Sequence, residues 1–186
     1  MLATLGRLPE AIAALRRAAE LDPLSVHAAW RLAWFHLGAG HVEEAREIAR
    51  RTLELFPEHA HTARTLGFVL LLEGSLDEAQ AAFQRSTSEP FREMGTALVE
   101  HARGHARESQ QALEHIIATS GKESTYQIAE IYAFRGERER AFEWLEQSLE
   151  LQDAGMRYLK HDPLLRSLRA DPRYIALLKK MNLPLD

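Results

Sequence analysis

The sequence is rich in histidine, and histidine side chains are common metal ligands. The chain has 9 histidines in 186 residues, and the closest pairs are His59 with His61 and His101 with His105. A zinc site needs three or four ligands that converge on one point. Gly104 separates His101 from His105 at a predicted turn, and no His-Glu-x-x-His motif occurs. The sequence therefore predicts no metal site and no cofactor.

Motifs for nucleophilic or phosphate chemistry are also missing. The sequence has no Gly-x-Ser-x-Gly motif, no glycine-rich phosphate loop and no cysteine, so disulfides and thiol nucleophiles are excluded. Carboxylate pairs such as Glu43-Glu44 and Asp77-Glu78 stand at the predicted starts of helices. The helix dipole stabilises acidic residues there, so these pairs need no acid–base role. We therefore expect that the chain is not an enzyme.

Charge and hydropathy exclude two further classes of partner. The chain has 23 Lys+Arg against 27 Asp+Glu, a formal net charge of -4, and we expect it to bind no nucleic acid. The longest apolar runs, residues 11–15 and 68–72, are far shorter than the roughly 20 residues of a membrane-spanning helix, so we expect no membrane segment. Together with the lack of cysteine, this composition favours a cytoplasmic protein.

A repeated block organises most of the chain. Its markers are five glycines separated by 34, 34, 30 and 32 residues: Gly6, Gly40, Gly74, Gly104 and Gly136. A small residue follows each glycine by five positions, and another precedes each of the last four by seven: Ala11, Ala45, Ala79, Ser109 and Ala141, and Ala33, Gly67, Ala97 and Ala129. Small side chains at regular positions predict that two antiparallel helices cross closely on either side of each glycine.

The local signals predict a helix–turn–helix unit. Apolar residues recur at three and four positions, as in a helix, and the glycine suits the left-handed residue that ends the first helix. The run Ser75-Leu76-Asp77-Glu78 predicts a capping box at the start of a second helix. Pro23 and Pro57, also 34 residues apart, follow the predicted ends of two second helices.

These residues resemble the tetratricopeptide repeat, with Leu32-Ala33, Gly40, Ala45 and Pro57 as the best-matched unit. The resemblance covers residues 1–152 as about four and a half repeats, since residues 1–5 are too few for a first helix. It implies an all-α, right-handed α-solenoid that binds a protein or peptide partner.

Two Asp-Pro pairs mark the rest of the chain. Asp caps helices and Pro is tolerated in their first turn, so Asp162-Pro163 and Asp171-Pro172 each predict a short helix. We expect residues 153–186 to form C-terminal helices that cap the exposed end of the last repeat, as a solenoid requires.

Residues 126–184 also resemble the C-terminal tail of bacterial multidomain signalling proteins, in which such repeats follow a nucleotide-cyclase, winged-helix or Ser/Thr-kinase domain. That resemblance implies a bacterial accessory module whose catalytic or DNA-binding domain lies elsewhere. The half repeat at the start of the chain favours the same interpretation.

The concave groove of such an array is the candidate binding site. In tetratricopeptide arrays the first helix of each repeat lines this groove, which implies a largely apolar row: Trp30, Trp34, Leu37, Arg64, Phe68, Leu71, Met94, Leu98, His101, Tyr126 and Glu130. If the row is accessible, Trp30, Arg64, Met94 and Tyr126 would anchor a partner, because aromatic and Arg residues dominate hot spots. The alternative is that Trp34, Phe68 and Leu98 only pack between helices.

Two roles therefore stay open. The first is a noncatalytic scaffold for protein–protein contact, with a partner peptide or helix in the groove. The second is a structural module that forms homodimers through an uncovered flank of the first helix, which carries Leu8, Ile12 and Leu15.

Overall fold

The computed structural model describes residues 2–185, which form ten α-helices and no strand. None of these ten helices is long and apolar enough to cross a membrane. Two short 3₁₀ helices, Ala154–Tyr158 and Arg166–Leu168, separate the last two α-helices. The α-helices are α1 (Leu8–Leu21), α2 (Val26–Ala39), α3 (Val42–Leu55), α4 (Ala60–Leu72), α5 (Leu76–Gln84), α6 (Glu89–Ala102), α7 (Ala106–Ser120), α8 (Thr125–Phe134), α9 (Arg138–Glu150) and α10 (Pro172–Lys180).

The helices stack as pairs into a solenoid. Helices α2 with α3, α4 with α5, α6 with α7 and α8 with α9 are the four pairs, and α1 packs on α2 as a second helix that lacks its first. Helices α2, α4, α6 and α8 each contact the next member of this series, so they form the inner layer. The prediction of an all-α solenoid of helix pairs is confirmed.

The five repeat glycines all adopt the left-handed conformation that the sequence predicted. Their φ angles run from 88° at Gly6 to 78° at Gly136, a region that side chains with a Cβ disfavour. In four of these turns the residue after the glycine donates its backbone N–H to the carbonyl five residues earlier, at 2.9 Å. These donor and acceptor pairs are His41 with His36, Ser75 with Leu70, His105 with Glu100 and Glu137 with Tyr132.

The two rows of small residues meet where the helices cross. Ala45, Ala79 and Ala141 are fully buried, as is Ala97 on the facing row. Ser109 is the polar member of its row, and its hydroxyl donates to the carbonyl of Ala97 at 2.6 Å, so a buried serine is tolerated there.

Phe83 shows how little space these crossings leave. Its ring is fully buried between α4 and α6, and a Cβ on Gly67 would lie 2.7 Å from it. A Cβ on Gly95 would lie only 2.2 Å from the same side chain. The large ring therefore depends on a glycine in each neighbouring inner helix.

Two local predictions were wrong. Ser75 precedes α5 but its side chain makes no capping hydrogen bond, so the predicted capping box does not form. Asp171-Pro172 opens α10 as predicted, with the Asp171 carboxylate accepting from the Arg173 N–H at 2.9 Å. The other pair, Asp162-Pro163, is followed only by turns and the short 3₁₀ helix, although the Asp162 carboxylate accepts from the Leu164 N–H at 2.9 Å in the same way.

We expect Ala79→Leu to lower the free energy of unfolding by about 1–3 kcal/mol, since a larger side chain overfills a crossing without free space. Ala81→Leu on the same helix is the matched control, because Ala81 is exposed and its change should stay within about 0.5 kcal/mol. Urea denaturation of the two variants measures the difference. Equal effects would show that the small residue is not required at the crossing.

Candidate partner-binding groove

The inner layer brings the predicted groove residues onto one face, but that face is not open. Ten of the eleven residues are buried and His101 is half-buried. The side chain of Trp34 is 1% exposed, and Met94 and Glu130 are fully enclosed. Trp30, Arg64, Met94 and Tyr126, which would anchor a partner if they were accessible, are all buried. The alternative, in which these side chains pack inside the protein, describes most of the row.

The chain's own C-terminal segment, residues 153–168, fills this face. The ring of Tyr158 lies edge-on to two tryptophans of α2, with centroid distances of 6.3 Å to Trp30 and 5.9 Å to Trp34. Leu159, Leu164 and other apolar residues of the segment belong to the same core as the inner helices. The segment was expected to cap the end of the array, and only α10, which packs on α9, lies there.

Two glycines allow the segment to approach the inner helices closely. A Cβ on Gly38 of α2 would lie 2.6 Å from the carbonyl oxygen of His161. A Cβ on Gly155 would lie 2.4 Å from the ring of Tyr126 on α8. The fit is therefore specific at both ends of the segment.

A buried polar cluster joins the segment to α4 and α8. The Tyr126 hydroxyl donates to the carboxylate of Asp162 at 3.0 Å, and Arg64 forms an ion pair with Glu130. Asp153 accepts from the hydroxyl of Thr125 at 2.9 Å and from the backbone N–H of Tyr126 at 3.1 Å. Buried polar groups are costly unless paired, so this network favours one docked position of the segment.

The protonation of this cluster follows from its burial. Burial raises the pKa of Glu130 well above its ordinary value, Arg64 opposes the rise, and Asp162 adds to it. Burial also raises the pKa of the Tyr126 hydroxyl, with a further contribution from Asp162.

One part of the concave face stays open, at the amino-terminal ends of the inner helices. It is a cleft of about 510 Å³ beside Tyr158. Aromatic residues His61, Phe91 and Trp30 form one wall. The rings of Trp30 and His61 are stacked at 4.8 Å, and those of His61 and Phe91 meet edge-on at 5.2 Å. Arg31 lines the same cleft.

Charged residues of both signs line this cleft: Arg31, Arg64 and Arg157, and Glu123 and Asp153. Arg31 and Arg157 are exposed, and neither has an acidic partner at ion-pair distance among residues 2–185. The acidic residues of the lining are Glu123 and Asp153, and Asp153 is already bonded to α8. His61 is partly open to solvent, yet packing of its ring and the nearby Arg64 cation lower its pKa to about 4, so it is neutral at pH 7.

The flank of α1 that was expected to be uncovered is largely covered. Leu8 and Ile12 are buried, and Leu15 is partly buried against the core. The turn formed by residues 2–6 packs there, and the His161 ring makes a hydrogen bond to the carbonyl of Ala3. The apolar flank on which the homodimer alternative depended is therefore not available.

The histidine pairs weighed from the sequence have separate environments. His59 caps α4 by accepting from the Thr62 N–H at 3.3 Å. His105 contacts the Glu100 carboxylate at 2.7 Å, whereas the ring of His101 faces Phe134. The sequence analysis missed the contacts of Tyr158, His161 and Asp162 with the groove.

We expect stability to depend on the proton of Glu130. A carboxyl whose pKa is raised in the folded state loses stability as pH rises from its ordinary pKa of 4.5 through the folded value. Glu130→Gln replaces the protonated form by a neutral amide, so its free energy of unfolding should vary less with pH over this window. Urea denaturation at a series of pH values measures this slope. The control Glu47→Gln, at an exposed carboxylate, should keep the native slope, and an unchanged slope in Glu130→Gln would contradict the raised pKa of Glu130.

Comparisons with known proteins agree with this architecture. Family models described as tetratricopeptide repeat match residues 2–58, 36–91 and 123–154. The stretch between the second and third matches contains the repeat that has Ser109 at its helix crossing. No curated protein matches the chain.

Several solved structures share the fold at low sequence identity. A thermophilic TPR protein of Thermus thermophilus is 21% identical with a TM-score of 0.65, over 96% of this chain and 94% of that one. A tetratricopeptide repeat protein of Parabacteroides merdae is 18% identical with a TM-score of 0.59, over 97% and 73%. MamA is 22% identical with a TM-score of 0.55, over 81% and 92%. Since the family models together cover more than half of the chain and the helix pairs match, this chain belongs to the tetratricopeptide-repeat family.

Proposed function

We propose that the chain is a protein–protein interaction module that binds an acidic, aromatic peptide segment of its partner in the open cleft. Tetratricopeptide repeats indicate an interaction module, and proteins of this fold are generally noncatalytic scaffolds. The observation that carries the proposal is the position of Arg31 and Arg157, which have no acidic partner among residues 2–185, beside the aromatic wall.

The cleft favours a ligand with hydrogen-bond acceptors. The indole nitrogen of Trp34 and Nε of Arg64 are buried donors without a partner among the described residues, and both residues line the cleft. Helices α2, α4, α6 and α8 also turn their amino-terminal ends toward it, and helix N-termini attract negative charge. Carboxylates of a peptide would supply both the acceptors and the charge.

The aromatic wall favours an aromatic side chain in the same ligand. His61 and Phe91 offer ring faces and edges that are not fully buried, and Tyr158 closes the other side of the cleft. Aromatic pairs gain energy beyond the area that they bury. His61 is neutral at pH 7, so it can stack without adding charge.

The resemblance of residues 126–184 to tails of bacterial signalling proteins supports a further proposal. The module would serve such a protein in the cytoplasm. Self-association stays an alternative role, but it would need a surface other than the flank with Leu8 and Ile12, because both are buried.

We expect a fluorescein-labelled peptide Glu-Trp-Asp-Phe-Glu to bind at least about tenfold more tightly than Lys-Trp-Lys-Phe-Lys or Glu-Ala-Asp-Ala-Glu. Fluorescence polarisation with the full chain measures the three dissociation constants. Arg31→Ala and Arg157→Ala should each weaken binding of the first peptide and reduce its salt dependence. Arg51→Ala is the control, since Arg51 is an exposed residue of α3 outside the cleft. Equal affinity for all three peptides, or equal loss in the control, would contradict the proposed ligand.

A further inference from the structure

Two histidines meet at the turn between α2 and α3. His36 lies in the last turn of α2 and His41 directly precedes α3, with Gly40 between them. Their Nδ1 atoms are 3.3 Å apart, and the ring planes are inclined by 50°. Glu44, in the first turn of α3, offers a carboxylate oxygen, and the three ligand atoms all lie within 4.8 Å of one another.

The backbone of the turn holds this arrangement in place. The His41 N–H donates to the His36 carbonyl at 2.9 Å, which sets the two side chains next to each other. The third repeat shows the same effect, since its turn brings His105 into contact with Glu100 at 2.7 Å. Two side chains that are five residues apart across the turn glycine therefore contact each other in this fold.

The separation of the two nitrogens matches a metal site. Zinc–nitrogen bonds of 2.0–2.1 Å in a tetrahedron place the nitrogens about 3.3–3.4 Å apart. The observed Nδ1 separation is 3.3 Å.

The burial and charge of these three residues suit the binding of a metal ion. His36 is 1% exposed, so packing fixes its ring, while His41 and Glu44 are exposed and leave a path for an ion. Glu44 has no ion-pair partner among residues 2–185, and rotation of this exposed side chain can bring its carboxylate closer to the histidines. Arg16 is the cation that acts on His36, and the negative charge of Glu44 offsets it.

We propose that His36, His41 and Glu44 bind a divalent transition-metal ion such as Zn²⁺, with water at the remaining position. Imidazole and carboxylate are a ligand set that zinc accepts. The site lies on the turn of the first complete repeat, away from the residues that line the open cleft, so it is independent of the proposed peptide site. The ion would join the end of α2 to the start of α3.

The test uses the full chain, freed of metal with a chelator and then dialysed. Calorimetric titration with Zn²⁺ should show one equivalent per chain, and Co²⁺ should give the visible absorption of a tetrahedral complex. Zn²⁺ should also raise the melting temperature. We expect His41→Ala to weaken Zn²⁺ binding by more than about tenfold and to remove the Co²⁺ spectrum, and Glu44→Gln to weaken binding less.

The control is His105→Ala, which changes the residue at the same position of the third repeat's turn. Neither His41 nor His105 makes a side-chain capping bond, so both variants should fold, as circular dichroism can verify. Stoichiometric binding that is lost in His41→Ala and kept in His105→Ala supports the site. No Zn²⁺ binding, or equal binding by His41→Ala and the native chain, would overturn it and leave a hydrogen-bonded pair only.

Discussion

The close crossing of paired helices is the constraint on which the rest of this structure depends. Ala45, Ala79 and Ala141 have no exposed surface, and Gly67 and Gly95 leave room only for the ring of Phe83. Because the helices approach so closely, each pair places its inner helix at a defined position, and four inner helices form one concave face. Both the buried segment and the open cleft are consequences of that face.

The concave face is occupied mainly by the protein itself. Tyr158 contacts α2, Asp162 joins Tyr126 on α8, and Gly155 allows close approach at the same helix. The buried Tyr126 hydroxyl has its partner only when the segment is docked, since Asp162 belongs to the segment. The open cleft is therefore smaller than an empty groove would be.

Repeated positions made the helix pairs predictable. The spacing of Gly40 and Gly74 predicted the turns, and the small residues predicted which helix faces meet, because each signal occurs several times in the chain. The same repetition placed Trp30 and Tyr126 on the inner helices. What the sequence did not indicate was their burial, since the segment that covers them occurs once and has no internal period.

The helix-start signal in that segment belongs to a residue that also makes a long-range contact. Asp162-Pro163 is a local signal for a helix start. The Asp162 carboxylate, however, accepts a hydrogen bond from Tyr126, which lies 36 residues earlier in the chain, and no local pattern predicts that contact. The His36 and His41 contact was missed for a related reason. The histidine pairs considered from the sequence are two and four residues apart, whereas the turn brings residues five apart into contact.

The contacts of residues 153–168 bear on the elasticity of the array. A solenoid bends and twists by small rotations at each junction between repeats, like a spring. Here a single stretch of chain reaches from Gly38 on α2 to Tyr126 on α8, and the His161 ring also contacts Ala3. A segment that contacts several repeats at once resists rotation of one repeat against the next. We therefore expect this solenoid to be stiffer along its axis than an array whose concave face is empty.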